Sequence, residues 1–522
     1  RGIGLRIGGA YILSVAWMLS TLNVTWVYWC SSDVAIWFQI QLLGIDSLLE
    51  SRKRRGVVLV SISATMMLFA GHPETAFTMG MGAGLYFLVR LGTQRISGAE
   101  RAALAGMALA AWLLALGITT PQTIPFAEYL LHSATLGQRN VAGTTPFIGP
   151  HALLSAWIPR YFGVTHTLDD NVWRPELISS NFTLILYPGI AIWYGLALLF
   201  VRNGRANIHT GRLLGLAAVA IAFLPIATNL PGTEFIGVVP FVRTVWRFWF
   251  FPSVAFVFAA MAAMTLDSWF ASTAKLRQLV VPATALCAVT VSIWTYHVFI
   301  GRPTLAMVRP SATAQVEHEL LWALALGAVG LAVVSLPALR VPPARALVVL
   351  VAFLSVDLLA VTHDIFPTCE NRVLHIDTHT TDLLRSKRDD GRVKTFAVRQ
   401  NAIDSAVQVG LLPPFGIEDI VTYDGMVPDR FGQFAQDWIL TDRGATLLSV
   451  KFRLVSKGIP TDVPPERAVQ QQLISSAEGL DVYEDTAALP RARLVSAAKV
   501  VHSADEALSV LRNPKFDPSA IA

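Results

Sequence analysis

The chain has 522 residues, 53% of them apolar and only 15% charged, with a mean hydropathy of +0.52. Soluble domains carry about a quarter charged residues, so a soluble enzyme is excluded. The formal charge of +5 and the isoelectric point near 9.1 come largely from short basic turns between apolar runs. They give no reason to expect a nucleic-acid partner.

In chain order, apolar runs predict spans near 7–29, 34–49, 56–71, 76–91, 102–120, 182–200, 213–229, 251–270, 279–299, 319–336 and 345–361, about 11 transmembrane helices. Several fall short of the roughly 20 residues that a perpendicular crossing needs. The second and fourth could therefore be re-entrant or partly covered by neighbours. Basic residues recur on alternate turns: Arg52-Lys53-Arg54-Arg55, then Arg90, Arg95 and Arg101, then Arg202, Arg205 and Arg212, then Lys275 and Arg277, then Arg340 and Arg345. By the positive-inside rule these turns are cytoplasmic, where they meet anionic lipid head groups. An odd number of crossings that starts inside ends outside, which places the loop 121–181 and everything after about 365 on the extracytoplasmic side. The chain opens on Arg1 directly into a span, as expected of a fragment whose N-terminus lies upstream. Cys30, Cys287 and Cys369 have no paired or metal-binding spacing.

Three polar groupings interrupt the apolar pattern. His72-Pro73-Glu74 lies at a span boundary, where an unpaired histidine or carboxylate is costly and so marks a candidate site. The plainer reading is a turn, with Glu74 favourable at a helix N-terminus. The loop 121–181 carries Glu128, His132, Arg139, Asn140, His151, His166, Asp169, Asp170, Arg174 and Glu176. Its segment Leu153 to Phe162 is amphipathic enough to lie along the bilayer surface. Asp169-Asp170 is a candidate divalent-cation site or general base, against the alternative of solvated surface. In Pro240 to Phe250, Arg243 and Arg247 would share a helix face among aromatic residues. They lie at an outer boundary, where the positive-inside pattern predicts no cation. A pair of guanidiniums there suits a lipid phosphate, the alternative being snorkelling to head groups.

Composition turns polar near Pro367, which divides the chain into a membrane domain, 1–366, and a soluble α+β domain, 367–522. Alternating runs predict strands at 394–398, 447–455 and 492–495, and short helices at 405–410, 428–441 and 504–512.

These motifs together resemble the YfhO-type bacterial membrane proteins, a branch of the GT-C glycosyltransferase superfamily. The resemblance runs through Gly71-His72-Pro73-Glu74-Thr75-Ala76, Pro121 to Glu128 with Ser133 and Arg139, Tyr187-Pro188-Gly189, and Arg243 to Phe248. In the tail it continues in Tyr423-Asp424-Gly425-Met426, Leu447 to Phe452 and Val482-Tyr483-Glu484-Asp485 with Leu489 to Ala492. It implies a GT-C-like multi-spanning fold in a bacterial cell membrane and transfer of a sugar from a polyprenyl-phosphate donor to an extracytoplasmic glycan acceptor. His72, Glu128, Arg139, Arg243 and Arg247 would bind substrate. Asp169, Asp170 or Glu74 would serve as secondary choices for the catalytic base, since the family's principal acid would lie upstream of Arg1. No Gly-rich nucleotide loop is present, in keeping with a lipid-linked donor, and a divalent cation is an open expectation. A transporter or flippase, and a non-catalytic membrane scaffold, are the alternatives.

Overall fold

A computed structural model of the chain describes residues 5–27, 29–50, 53–134, 150–162, 186–201, 208–239, 242–272, 275–304, 312–363, 378–389, 391–396, 412–420, 427–438, 442–457, 470–477, 479–513, 515–517 and 519–521. It divides into two compact units, Arg1–Pro125 with Arg139–Pro367, and Phe126–Gln138 with Thr368–Ala522.

The first unit is helical. Its helices are α1 (Ile7–Met18), α2 (Thr21–Thr25), α3 (Cys30–Glu50), α4 (Lys53–Phe69), α5 (Pro73–Gly92), α6 (Gly98–Leu131, whose last turns belong to the second unit), α7 (Ile190–Ala197), α8 (Thr210–Ala227), α9 (Phe251–Phe270), α10 (Val280–Tyr296), α11 (Ala312–Ser335) and α12 (Pro343–Thr362). Seven segments among the described residues are long and apolar enough to cross a membrane: Ile7–Thr25, Gly98–Leu131, Thr210–Ala227, Arg247–Phe270, Leu276–Thr304, Thr313–Ser335 and Pro343–Thr362. Their outward faces are apolar too, as at Ile221, 74% exposed, and Val348, 68% exposed. A helix that is apolar on every side suits lipid, because its backbone is satisfied internally. The chain is thus a multi-spanning helical membrane protein with a C-terminal α+β part. The sequence-predicted spans over 34–49, 56–71 and 76–91 fall largely within α3, α4 and α5, and of 182–200 the described residues 190–197 form α7, but none of these is among the seven.

Helix α9 is the axis of this unit, packed by α1, α5, α7 and α8. Small residues let the neighbours approach: a Cβ on Gly195 of α7 would lie 2.7 Å from the Ala262 Cβ of α9. Asp267, near the end of α9, accepts the backbone N–H groups of Arg6 at 3.0 Å and Gly9 at 3.1 Å, capping the start of α1 from a distant part of the chain.

Two expectations about the loop 121–181 are corrected. Helix α6 does not end at 120 but continues through Pro121 and Pro125 to Leu131. A proline removes the N–H that would bond the carbonyl four residues back, and here the Thr120 hydroxyl donates to that Gly117 carbonyl at 2.9 Å. The segment Leu153 to Phe162 does not lie as a half-exposed interfacial helix. After the 3-10 turn Pro150–Ala156, Trp157, Ile158, Tyr161 and Phe162 are all buried. Trp193 donates to the Ala156 carbonyl at 2.8 Å and Arg160 to the Val361 carbonyl at 3.0 Å, so the segment is packed between helices.

The second unit is built on a four-stranded sheet in the order β1-β2-β4-β3, with β1 (Arg392–Phe396), β2 (Val450–Ser456), β3 (Gln471–Ala477) and β4 (Leu480–Asp485). β1 runs parallel to β2, and the other pairs are antiparallel. Val393, Phe452, Leu454, Leu480 and Val482 form its core with Leu384, Leu412 and Ile417. Helices α13 (His379–Ser386), α14 (Asp429–Trp438), α15 (Asp442–Leu447) and α16 (Ala504–Arg512) flank the strands in sequence. Ala492 to Val495 is not a strand; Leu494 is fully exposed, with no partner face to bury its alternation. The predicted helix 405–410 lies outside the described residues.

Candidate functional site

Helix α5 connects two polar clusters at opposite ends of the first unit. His72 to Arg90 spans 18 residues, roughly 27 Å at the α-helical rise, close to the thickness of a bilayer's hydrocarbon core.

At one end, α3, α5 and α8 converge on Asp46. Its Oδ1 accepts Arg90 Nε at 2.9 Å and the Tyr86 hydroxyl at 2.9 Å, and its Oδ2 accepts Arg212 Nε at 2.8 Å. Both guanidiniums also reach Glu50 Oε1. Arg90 is completely buried and Asp46 nearly so. Sequence reasoning assigned Arg90 and Arg212 to lipid-facing anchors, and that is corrected: they are internal ion-pair partners, because a carboxylate four turns into α3 offers them a better site than head groups. The signal that could have found the cluster was Asp46 itself, an acid within an apolar run.

At the other end lies the sequence-predicted grouping. Gly71 takes φ +86°, and His72 caps α5, its Nδ1 accepting the Thr75 N–H at 3.2 Å and lying 2.9 Å from Thr75 Oγ1. Pro73 occupies the first turn, where its missing N–H costs nothing. Glu74 follows, favourable beside the positive end of the helix, and its Oε2 accepts the Trp246 N–H at 3.2 Å. The Thr78 hydroxyl donates to the Trp249 carbonyl at 2.7 Å. The start of α5 is thereby tied to the segment leading into α9.

Arg247 is half-buried beside this junction and donates to the Asn229 side chain just beyond α8. The His72 ring lies 4.3 Å from Trp249, and Trp26 lies 5.5 Å from Trp249 and stacks on Phe248 at 6.5 Å. A carboxylate and an imidazole are thus held at the aromatic segment that also carries Arg247. The helix face expected to carry Arg243 and Arg247 is corrected. Val242–Thr244 and Arg247–Phe250 are separate 3-10 turns, and Trp246 between them is extended at ψ 125°. The four-residue spacing therefore does not align the two side chains, and Arg243 is exposed. Bulky aromatics on both sides are buried by turning the backbone rather than by continuing α9 backwards.

A second buried carboxylate explains Tyr187-Pro188-Gly189. The Tyr187 hydroxyl donates to Asp357 Oδ1 at 2.6 Å, and the Ile190 N–H donates to Oδ2 at 2.8 Å. Gly189, at φ +92°, adopts a backbone conformation that L side chains rarely take, and a Cβ there would lie a tight 3.0 Å from Leu354 Cδ1.

Glu128 is not in a loop but on the last turns of α6, exposed, its carbonyl 2.9 Å from His132 Nδ1. It belongs to the second unit, where residues 132–134 pair with 427–429 through Asp429 N–H to His132 O at 2.7 Å and Ala134 N–H to Val427 O at 2.9 Å. Arg139, Asp169 and Asp170 lie outside the described residues. Among the described residues no group of three or more His, Cys, Asp or Glu side chains is arranged to hold a metal ion.

No family model matches the chain, and no curated protein matches it. Among solved structures, the crystal structure of ArnT from Cupriavidus metallidurans in the apo state resembles it at 11% identity and a TM-score of 0.40, over 93% of this chain and 84% of that one. A likeness of that degree carries no argument about family, activity or substrate.

Proposed function

We propose that the chain is a membrane glycosyltransferase of the GT-C kind, moving a sugar from a polyprenyl-phosphate donor to an extracytoplasmic glycan acceptor. The observation that carries this reading is the junction of α5 and α9, where Glu74 and His72 meet the aromatic segment that carries Arg247, itself held by Asn229. Attack on the anomeric carbon expels a phosphate, and its growing negative charge needs a fixed cation. Arg247 supplies one whose guanidinium is already oriented by Asn229, with Arg243 as an exposed second cation for the phosphate. The wall of Trp26, Phe248 and Trp249 offers an apolar and amphipathic surface for the lipid end of the donor. Glu74 at this junction would take the acceptor proton, with Asp169 and Asp170 the other choices. Glu128 and Arg139 are retained as substrate contacts, and the donor's lipid chain would lie among membrane lipids.

The test is transfer of radiolabelled sugar from a polyprenyl-phosphate donor by the full-length protein in proteoliposomes. Arg247→Ala is expected to lower transfer by about 100-fold or more, and Arg243→Ala by less, while both fold. Unchanged transfer in Arg247→Ala would remove the phosphate site. Donor crossing the bilayer with no covalent transfer would replace this reading by the transporter one.

A further inference from the structure

The second unit contains a cleft of about 470 Å³, lined by Arg392, Ile417, Glu418, Asp419, Phe431 and Leu448 among others. That lies within the roughly 300–1,000 Å³ of small-molecule sites. Its polar wall is rigidly framed. Residues 418–420 attach to β1 as an added edge, with Val393 N–H to Glu418 O at 2.8 Å and Ile420 N–H to Val393 O at 3.0 Å. On that edge Glu418 accepts Arg392 Nε at 3.1 Å through one oxygen and Arg491 Nη1 at 2.7 Å through the other. Arg392 also donates to the Leu448 carbonyl at 3.3 Å. The two arginines, Arg491 first, hold the Glu418 carboxyl below the ordinary glutamate range, so it stays an ionised acceptor. Phe431 on α14 also lines the cleft, 42% exposed although aromatic.

Arg392, Glu418 and Asp419 line the cleft, and Arg491 is bound to Glu418, so its polar wall carries charges of both signs rather than a block of one sign. Its lining combines fixed donors and acceptors with an exposed aromatic side chain. A pyranose ring has the complementary form, with hydroxyls around its edge and C–H groups on its face. We propose that this cleft is a saccharide-binding site, taking a neutral sugar residue with its C–H face on Phe431 and its hydroxyls on Glu418 and Arg392. That this sugar is the acceptor rests on the transferase reading above; the binding does not.

The experiment uses the full chain in nanodiscs, with maltotetraose, cellotetraose and an N-acetylglucosamine tetramer at millimolar concentration as probes and inorganic phosphate as the charged control. Binding is followed by calorimetry and by hydrogen exchange of the Val393 and Ile420 amides. At least one oligosaccharide should bind and protect those amides, phosphate should not, and Phe431→Ala and Glu418→Gln should each weaken binding about tenfold or more. Phe431 is a surface residue, so its variant tests the site even where the Glu418 variant disturbs the edge. No oligosaccharide binding, equal binding by both variants, or competition by phosphate would each overturn the proposal. Oligosaccharide binding in a protein that transfers no sugar would remove the transferase reading and leave the cleft standing. Transfer by a protein whose cleft ignores sugars would do the reverse.

Discussion

Asp46 holds two guanidiniums and a phenol at once, in a place where water is excluded. A buried charge pair need not be more stabilising than a hydrophobic pair, but removing one partner leaves the other charged and unsatisfied, at a cost of about 3–5 kcal/mol. Asp46→Ala should therefore lower the thermal unfolding temperature of the purified protein sharply, and the double change Asp46→Leu with Arg90→Met should recover much of it. Equal loss in the single and double variants would show that the cluster does not behave as a coupled pair. Arg90 and Arg212 were visible in the sequence as basic residues near span ends, and their positions along the helices were legible. Their partner was not, because sign and spacing along one helix do not say which neighbour it faces. The same holds for Arg247, whose tie to Asn229 depends on the turn that closes α8.

Among the helices, α3 and α4 form an antiparallel pair packed so closely that a Cβ on Gly56 would overlap the Leu48 backbone. Overpacking of this kind typically costs about 1–3 kcal/mol. Gly56→Val is expected to lower thermal stability by that order, whereas Gly84→Ala, with open space around it, should change little. Equal effects would mean that α3 and α4 are not in such close contact. Strands β1 and β2 were legible from alternation because Val393, Phe452 and Leu454 are the apolar members of an alternating run, although Lys394 and Arg453 on the other face are buried as well. β3 was not, since Gln471–Ala477 has no regular alternation and its pairing with β4 shifts register between Leu473 and Ser475. Ala492 to Val495 has the pattern without the partner. Alternation is only a preference for two environments, and a strand forms where a neighbour supplies them.

Across the first unit, the polar groupings gather at the two ends of α5. Asp46, Glu50, Arg90 and Arg212 mark one end, and His72, Glu74, Asn229 and Arg247 the other. The positive-inside rule, applied to Arg52 to Arg55 beside this end, predicts that it is cytoplasmic, and that orientation is a proposal to be tested. In a background with Cys30, Cys287 and Cys369 replaced, Arg54→Cys should react with a membrane-impermeant maleimide only after the inner face is opened. Glu234→Cys and Lys499→Cys should react in intact cells. Reaction of Arg54→Cys from outside would invert the topology and move the proposed transfer site to the wrong side for an extracytoplasmic acceptor.

Hydropathy and charge order by themselves determined that this is a membrane protein of many spans with a polar tail, because burial in lipid constrains every residue of a span in the same way. The cluster around Glu74 was visible for a related reason: an acid, a histidine and a proline cannot sit in an apolar boundary without a local purpose. What only the tertiary structure decided is which of those groups meet. It separated Arg243 from Arg247 by turning the backbone at Trp246, gave Asp46 its two arginines, and built the Glu418 cleft from segments far apart in the chain. Contacts of that kind depend on how helices and strands pack against each other, and packing is a property of pairs of surfaces that no single run of residues contains.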